Sequence, residues 1–334
     1  MDEGGFRQYL LNRGLPEEQI PQQVEVVARF ARHLGTLSPP QAPETVDAER
    51  ALAYAALLVA EGGNTEDGLL ALARYGRFAR NYALFVAILG LWDGAEVMGN
   101  VARRVGHVLG EDARDEIVPE VPPMTASRWE KARVTRDVMQ RLEPRLDAKT
   151  ARAIFSESFR DLPDSEFAQE RERYYAIGDI DRYLETRRQD FIAELEAMRD
   201  KGELFFDQEV TDEVVDLVRS DPEISDGVRR GNVLYVSKIP YRTREYLAAT
   251  DPQEKRYAYC HCPWARESLR QAEGPVSATF CRCSAGFHKR PWEVIFGQPL
   301  EADVLESVLR GDLRCRFAIH LPPGAPGIAT ADDL

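Results

Sequence analysis

DVLESVLRGDLRCRFAIHL, residues 303–321, is the stretch on which the fold class turns. DVLESVLR and RCRFAIHL carry β-branched and aromatic residues on either side of Gly311-Asp312, a pair that favours chain reversal, so the two runs are expected to form a terminal β-hairpin. Upstream, NVLYVSKI at 232–239, RYAYCHC at 256–262 and VSATFCRC at 276–283 read as further strands. A short helix is expected between Ser284 and Gly297, with Pro291 suited to a first turn or a kink.

Before Asp221-Pro222 the texture is different. In Pro16 to Leu34 the apolar residues Ile20, Val24, Val27, Ala31 and Leu34 recur at intervals of four and three, which puts them on one helical face. Further helices are expected at about 44–61, 65–91, 93–109, 127–143, 147–160, 164–176, 179–201 and 209–219, punctuated by Gly62-Gly63, Gly110 and PEVPPMT at 119–125. His33 and His107 each fall near a helix end, where a cation meets the helix dipole favourably.

A chain of 334 residues with 44% hydrophobic and 30% charged residues has the composition of a folded protein and the length for two domains. The longest apolar stretch, Tyr82 to Trp92, is about half of the ~20 residues that cross a bilayer, and the acidic start MDEGGFRQYL lacks the features of a secretory signal. No membrane partner and a cytoplasmic location are therefore expected. The net charge of -13 argues against a nucleic-acid partner held through its backbone. Charge is uneven, however: Asp226 to His320 holds 15 Lys/Arg against 11 Asp/Glu.

All five cysteines fall between 260 and 315. In extended strands residues i and i+2 share a face, so Cys260 with Cys262 and Cys281 with Cys283 would each present two sulfurs together. Four thiolates at roughly 2.3 Å satisfy a tetrahedral zinc ion. Lys255, Arg256, Arg266, Arg282, Lys289 and Arg290 crowd the motif and would favour thiolates, which suits structural zinc and also a redox or nucleophilic thiol. Plain buried cysteines are the third alternative. His261 alternates to the opposite strand face, His288 could replace one cysteine as a ligand, and Cys315 reads as a core residue.

The run FCRCSAGFHKRPWEVIFGQPLEADVLESVLRGDLRCRFAIHLP resembles the 4-vinyl reductase domain family, found in sensor proteins and in bacteriochlorophyll biosynthesis. The likeness rests on a cysteine-bearing start, a helix, and a hairpin matched by Gly311, Asp312, Cys315 and Phe317. It implies an α+β fold around a small-molecule pocket, often beside a structural zinc and often in a dimer. The C-x-C pairs depart from the more widely separated ligands of that family's sensors, and no ATPase or DNA-binding domain is expected to follow. The remainder, including KRYAYCHCPWARESL and KIPY, looks similar to an uncharacterised bacterial family of this length.

The expected fold is thus α+β: an all-helical N-terminal half, then a small mixed domain with a metal-stapled sheet and a terminal hairpin. The expected divisions are a helical domain at 1–120, a helical middle segment at 121–220, a cysteine-rich metal-binding domain at 221–322 and a flexible tail at 323–334. Tyr257, Tyr259, Trp264, Phe287, Trp292 and Glu293, with Phe296, are candidate ligand-pocket residues, and His288 with Glu293 a candidate acid/base pair. Core packing accounts for the aromatics equally well. P-loop, H-E-x-x-H and strand-borne G-x-G-x-x-G motifs are absent. The leading functional reading is a zinc-binding protein that binds or senses a small molecule, acting alone or as a homodimer. A zinc- or thiol-dependent hydrolase-like enzyme and a cysteine redox switch are the alternatives.

Overall fold

The computed structural model describes residues 1–62, 65–122, 126–155, 157, 159–160, 162–206 and 208–324. The chain forms two compact units, one built from Met1–Ala95 and the other from Glu96–Pro122 and the chain from Arg128 onward.

The first unit is helical: α1 (Glu3–Asn12), α2 (Ile20–Thr36), α3 (Ala48–Glu61), α4 (Thr65–Phe78) and α5 (Tyr82–Trp92). Local chemistry sets the helix starts. Asp2, Asp47 and Asn81 each accept a hydrogen bond from the backbone N–H three residues on, satisfying an otherwise orphaned donor. The i, i+3/i+4 stripe of α2 buries Ile20, Val24, Val27, Phe30 and Leu34 against Phe6, Tyr54, Leu72, Tyr75 and Ile88. The single helix expected over 65–91 is two. Arg80 takes a left-handed φ of 55°, and the buried Asn81 side chain donates to the carbonyls of Pro43 and Val46, which fixes the break.

The second unit opens with α6 (Val97–Leu109), α7 (Glu111–Ile117), α8 (Arg128–Leu142) and α9 (Ala148–Phe155). The apolar stretch Tyr82–Leu109 has the length and composition of a membrane span, yet it is interrupted at Asp93–Glu96 and divided into helices of 11 and 13 residues. Val97, Met98, Val101, Val105, Ile117, Val138, Leu142 and Phe155 share one core with Trp264 and Phe280. The division expected near 120 therefore falls instead at Ala95/Glu96, because α6 and α7 bury their apolar faces with the cysteine-bearing segment.

Next come α10 (Ala168–Ile177), α11 (Ile180–Lys201), a two-stranded hairpin of β1 (Leu204–Phe205) and β2 (Gln208–Glu209), and α12 (Asp212–Ser220). The principal sheet has β3 (Val228–Arg230), β4 (Val233–Ser237), β5 (Glu301–Glu306) and β6 (Arg316–His320) in the antiparallel order β3-β4-β6-β5. Val236 and Val304 both lie opposite Phe317, so one face carries Leu234, Val236, Phe317 and Ile319. Tyr174, Tyr183, Trp292 and Ile295 cover part of it.

The terminal hairpin is present, but its first strand is β5 and ends at Glu306; Val308–Arg310, expected as strand, forms a 3-10 turn. Ser307 N–H donates to the Asp312 carboxylate at 2.8 Å, and Gly311 adopts φ 104°, which glycine accepts without a Cβ clash. RYAYCHC is not a strand. Its first four residues end α14 (Pro252–Tyr259), which follows α13 (Thr243–Ala248); Asp251 caps α14 through the Glu254 N–H and Pro252 occupies its first turn. VSATFCRC is not a strand either: Ser277 caps a 3-10 turn at Ala278–Cys281 that runs into α15 (Arg282–Phe296), with Pro291 inside the helix. The α+β class and the helical N-terminal half hold. Residues 325–334 of the expected tail lie outside the described residues.

Candidate thiol and imidazole site

The cysteines lie at the ends of elements. Cys260 closes α14, Cys262 follows in coil, Cys281 caps α15 and Cys283 lies in its first turn, and Cys315 immediately precedes β6. For Cys281 and Cys283, helical spacing replaces the shared face expected of a C-x-C pair, since two residues along a helix rotate by about 200°, whereas Cys260 and Cys262 lie in the coil after α14. The Cys281 sulfur accepts a hydrogen bond from Ser307 Oγ at 3.2 Å, whereas the Cys283 sulfur accepts the Phe159 N–H at 3.4 Å. Cys260, Cys281 and Cys315 pack in one apolar cluster with Tyr259, Ala285, Val308 and Phe317. Cys283 packs on the helical core, and Cys262 touches both clusters. All five thiols are free. Cys315, set aside as a core residue, is therefore both buried and beside two of the expected site cysteines.

Two histidines share this interior. His261 Nε2 is 2.7 Å from the Ile239 carbonyl oxygen. The His288 ring stacks on Phe317 at 5.1 Å, and its Nε2 is sealed from solvent with no hydrogen-bond partner among the described residues. Lys238 Nζ donates to Ser284 Oγ at 3.1 Å, and the Lys238 carbonyl accepts the Tyr259 hydroxyl.

Burial dominates the ionisation of the site. It pushes the Cys260 thiol up to about 11, Cys262 to about 12 and Cys283 to about 11, and raises Cys281 and Cys315 as well; neighbouring thiols reinforce the effect on Cys260, Cys262, Cys281 and Cys283. Burial, aided by Lys238, also pushes His261 and His288 down to about 3. At neutral pH the site thus holds thiols and neutral imidazoles. The cations acting on it are Lys238, Arg160 and Arg266, which oppose the burial effect on the thiols. Arg266 is 2% exposed, with its guanidinium 4.3 Å from the Tyr241 ring centroid and 5.4 Å from that of Tyr257.

Among the described residues, no group of three or more His, Cys, Asp or Glu side chains is placed to hold a metal ion. The donor chemistry suits a soft or borderline ion, but the arrangement does not form a closed shell.

The expected pocket residues are dispersed. Trp264 lies in the helical core at 1% exposure, and Trp292 stacks with Phe296 beside the sheet. The Tyr257 hydroxyl donates to the Glu267 carboxylate, and the Phe287 side chain is exposed. Glu293 accepts from Lys289 and from the Leu300 N–H at 3.0 Å, which engages its carboxylate with those groups. A surface cleft of about 520 Å³ lies elsewhere, lined by Asp164, Arg171, Glu172, Tyr175 and Val294. No sequence signal marked it. Comparison with protein-family models, curated proteins and solved structures finds no match to this chain.

Proposed function

We propose that the second unit is a thiol-based zinc-binding module of a protein that binds or senses a small molecule. The supporting observation is that five free thiols lie in two apolar clusters that share Cys262, together with a His288 nitrogen that has no hydrogen-bond partner among the described residues. Cations around them favour thiolates and would balance the negative charge of a zinc–thiolate centre. Cys260, Cys262 and Cys281 would be the first donors, with His288, or Cys283 once its sulfur leaves the Phe159 N–H, completing the shell. Bound zinc would supply a cross-link; the protein's own residues supply sulfur donors, hydrogen bonds to the sulfurs and a water-poor surround. The same cations suit a small anionic ligand.

Because the thiols of the metal-free fold are protonated, binding has to release protons, and binding energy becomes folding energy. Elemental analysis and X-ray absorption on the purified chain should give about one zinc with mainly sulfur ligands, and chelation should lower the melting temperature of the second unit. An identical melting curve with and without chelator refutes the proposal.

A further inference from the structure

We infer that the cleft beside α10 binds an aromatic zwitterion, a small molecule that carries a carboxylate, an ammonium group and a flat apolar body. This deepens the small-molecule part of the proposed function and rests on it, but not on zinc, since no cysteine lines the cleft.

The cleft follows from helix periodicity. Ala168, Arg171, Glu172 and Tyr175 stand three, four and seven residues apart, so they share one face of α10. The 3-10 turn Asp164–Phe167 adds Asp164 and Ser165, and α15 adds Val294. Ala168 projects only a methyl group, and the resulting volume of about 520 Å³ is that of a small-molecule site.

Three groups on this face are held in place without being used up. Arg171 Nη1 donates to the Val294 carbonyl at 3.1 Å, which anchors the guanidinium and leaves its other N–H groups without an ion pair among the described residues. Nearby Arg173, Arg187 and Arg290, by contrast, each hold a carboxylate. The Glu172 carboxylate has neither a hydrogen bond nor an ion pair among the described residues, whereas Asp164 is engaged by Arg290. The Tyr175 ring stands edge-on to buried Tyr174 at 5.2 Å and lies 6.0 Å from the Arg171 guanidinium carbon, yet it is 47% exposed.

Charge decides the ligand class. A lone anion at Arg171 also meets Glu172, the next residue, and a lone cation at Glu172 also meets Arg171. A zwitterion satisfies both at once. Its carboxylate takes the free N–H groups of Arg171, its ammonium pairs with Glu172, and its flat group packs on Tyr175. Because the Val294 carbonyl already fixes Arg171, little side-chain entropy is lost on binding.

The test titrates the full-length chain with L-phenylalanine, with 3-phenylpropanoate, which lacks the ammonium, and with phenethylamine, which lacks the carboxylate. Backbone amide resonances are followed by NMR. The expected result is saturating shifts across 164–175, with phenylalanine bound about tenfold more tightly than either fragment. Glu172→Gln should abolish that advantage without weakening 3-phenylpropanoate. Ala168→Trp, at an exposed helix position, should fill the cleft and abolish binding while the melting curve stays unchanged. Equal affinity for the three compounds, shifts centred away from α10, or no saturation by about 10 mM overturns the inference. A chelator should leave the titration unchanged, so failure of the zinc proposal and failure of this one are told apart.

Discussion

Cys281 and Cys283, two positions apart, bond to opposite surroundings: the first sulfur to Ser307 beside the sheet, the second to the amide of Phe159, 124 residues away in sequence. Their substitutions should therefore be felt in different places. Cys283→Ala should remove about 1 kcal/mol of local stability and speed hydrogen exchange at Phe159 roughly fivefold. Cys281→Ala should act on the turn from Ser307 to Arg310. Amide exchange with residue resolution checks this, and identical exchange maps for the two variants would contradict it.

Ser307 stands at the centre of the hairpin turn, donating to Cys281 and accepting from Leu309 while it is wholly buried. Ser307→Ala removes a cap and a buried hydrogen bond together, with an expected cost of about 1–2 kcal/mol. Urea unfolding measures it. A loss below about 0.5 kcal/mol would mean that the turn holds without its hydroxyl.

Glu223 is the acid-sensitive tie of the sheet. Burial works to raise its pKa, but paired hydrogen bonds from Arg316 at 2.6 and 2.7 Å and the charges of Arg316, Arg314 and Arg230 outweigh it, holding the carboxyl below its usual range. A lowered folded value means that the unfolded chain takes up the proton first. The stabilisation is thus present above the ordinary carboxylate pKa and is lost as pH falls through the folded value. Glu223→Gln should cost about 2–3 kcal/mol at neutral pH and flatten the fall in melting temperature between about pH 5 and pH 3. Wild type and variant melting in parallel across that range would reject the assignment.

Trp264 is a core residue of the helical layer, packed with Val105, Leu142 and Phe280 and lying under the Lys131 ammonium at 5.6 Å. Trp264→Ala should cost about 3–5 kcal/mol through the cavity it leaves. Denaturant unfolding of the second unit reads the loss. A change of under about 1 kcal/mol would return Trp264 to a pocket role.

Much of the fold was legible locally. The stripe in α2 and the hairpin around Gly311-Asp312 are written in neighbouring residues, because helix periodicity, caps and turn geometry act over a few positions. Asp251-Pro252 before α14 and Ser277 before the cysteine helix are cap signals as well, masked by short aromatic and β-branched runs that a buried helix end also tolerates. The clustering of the cysteines could be read from sequence alone. Which of them share a surrounding could not, since a change from strand to helix turns residue i+2 to the other side. Phe159 and Ser307 reach the thiols, and Lys238 reaches Ser284 beside them, through contacts spanning 26 to 124 residues, and such contacts are chosen by how whole faces bury together, a choice no short window of sequence contains.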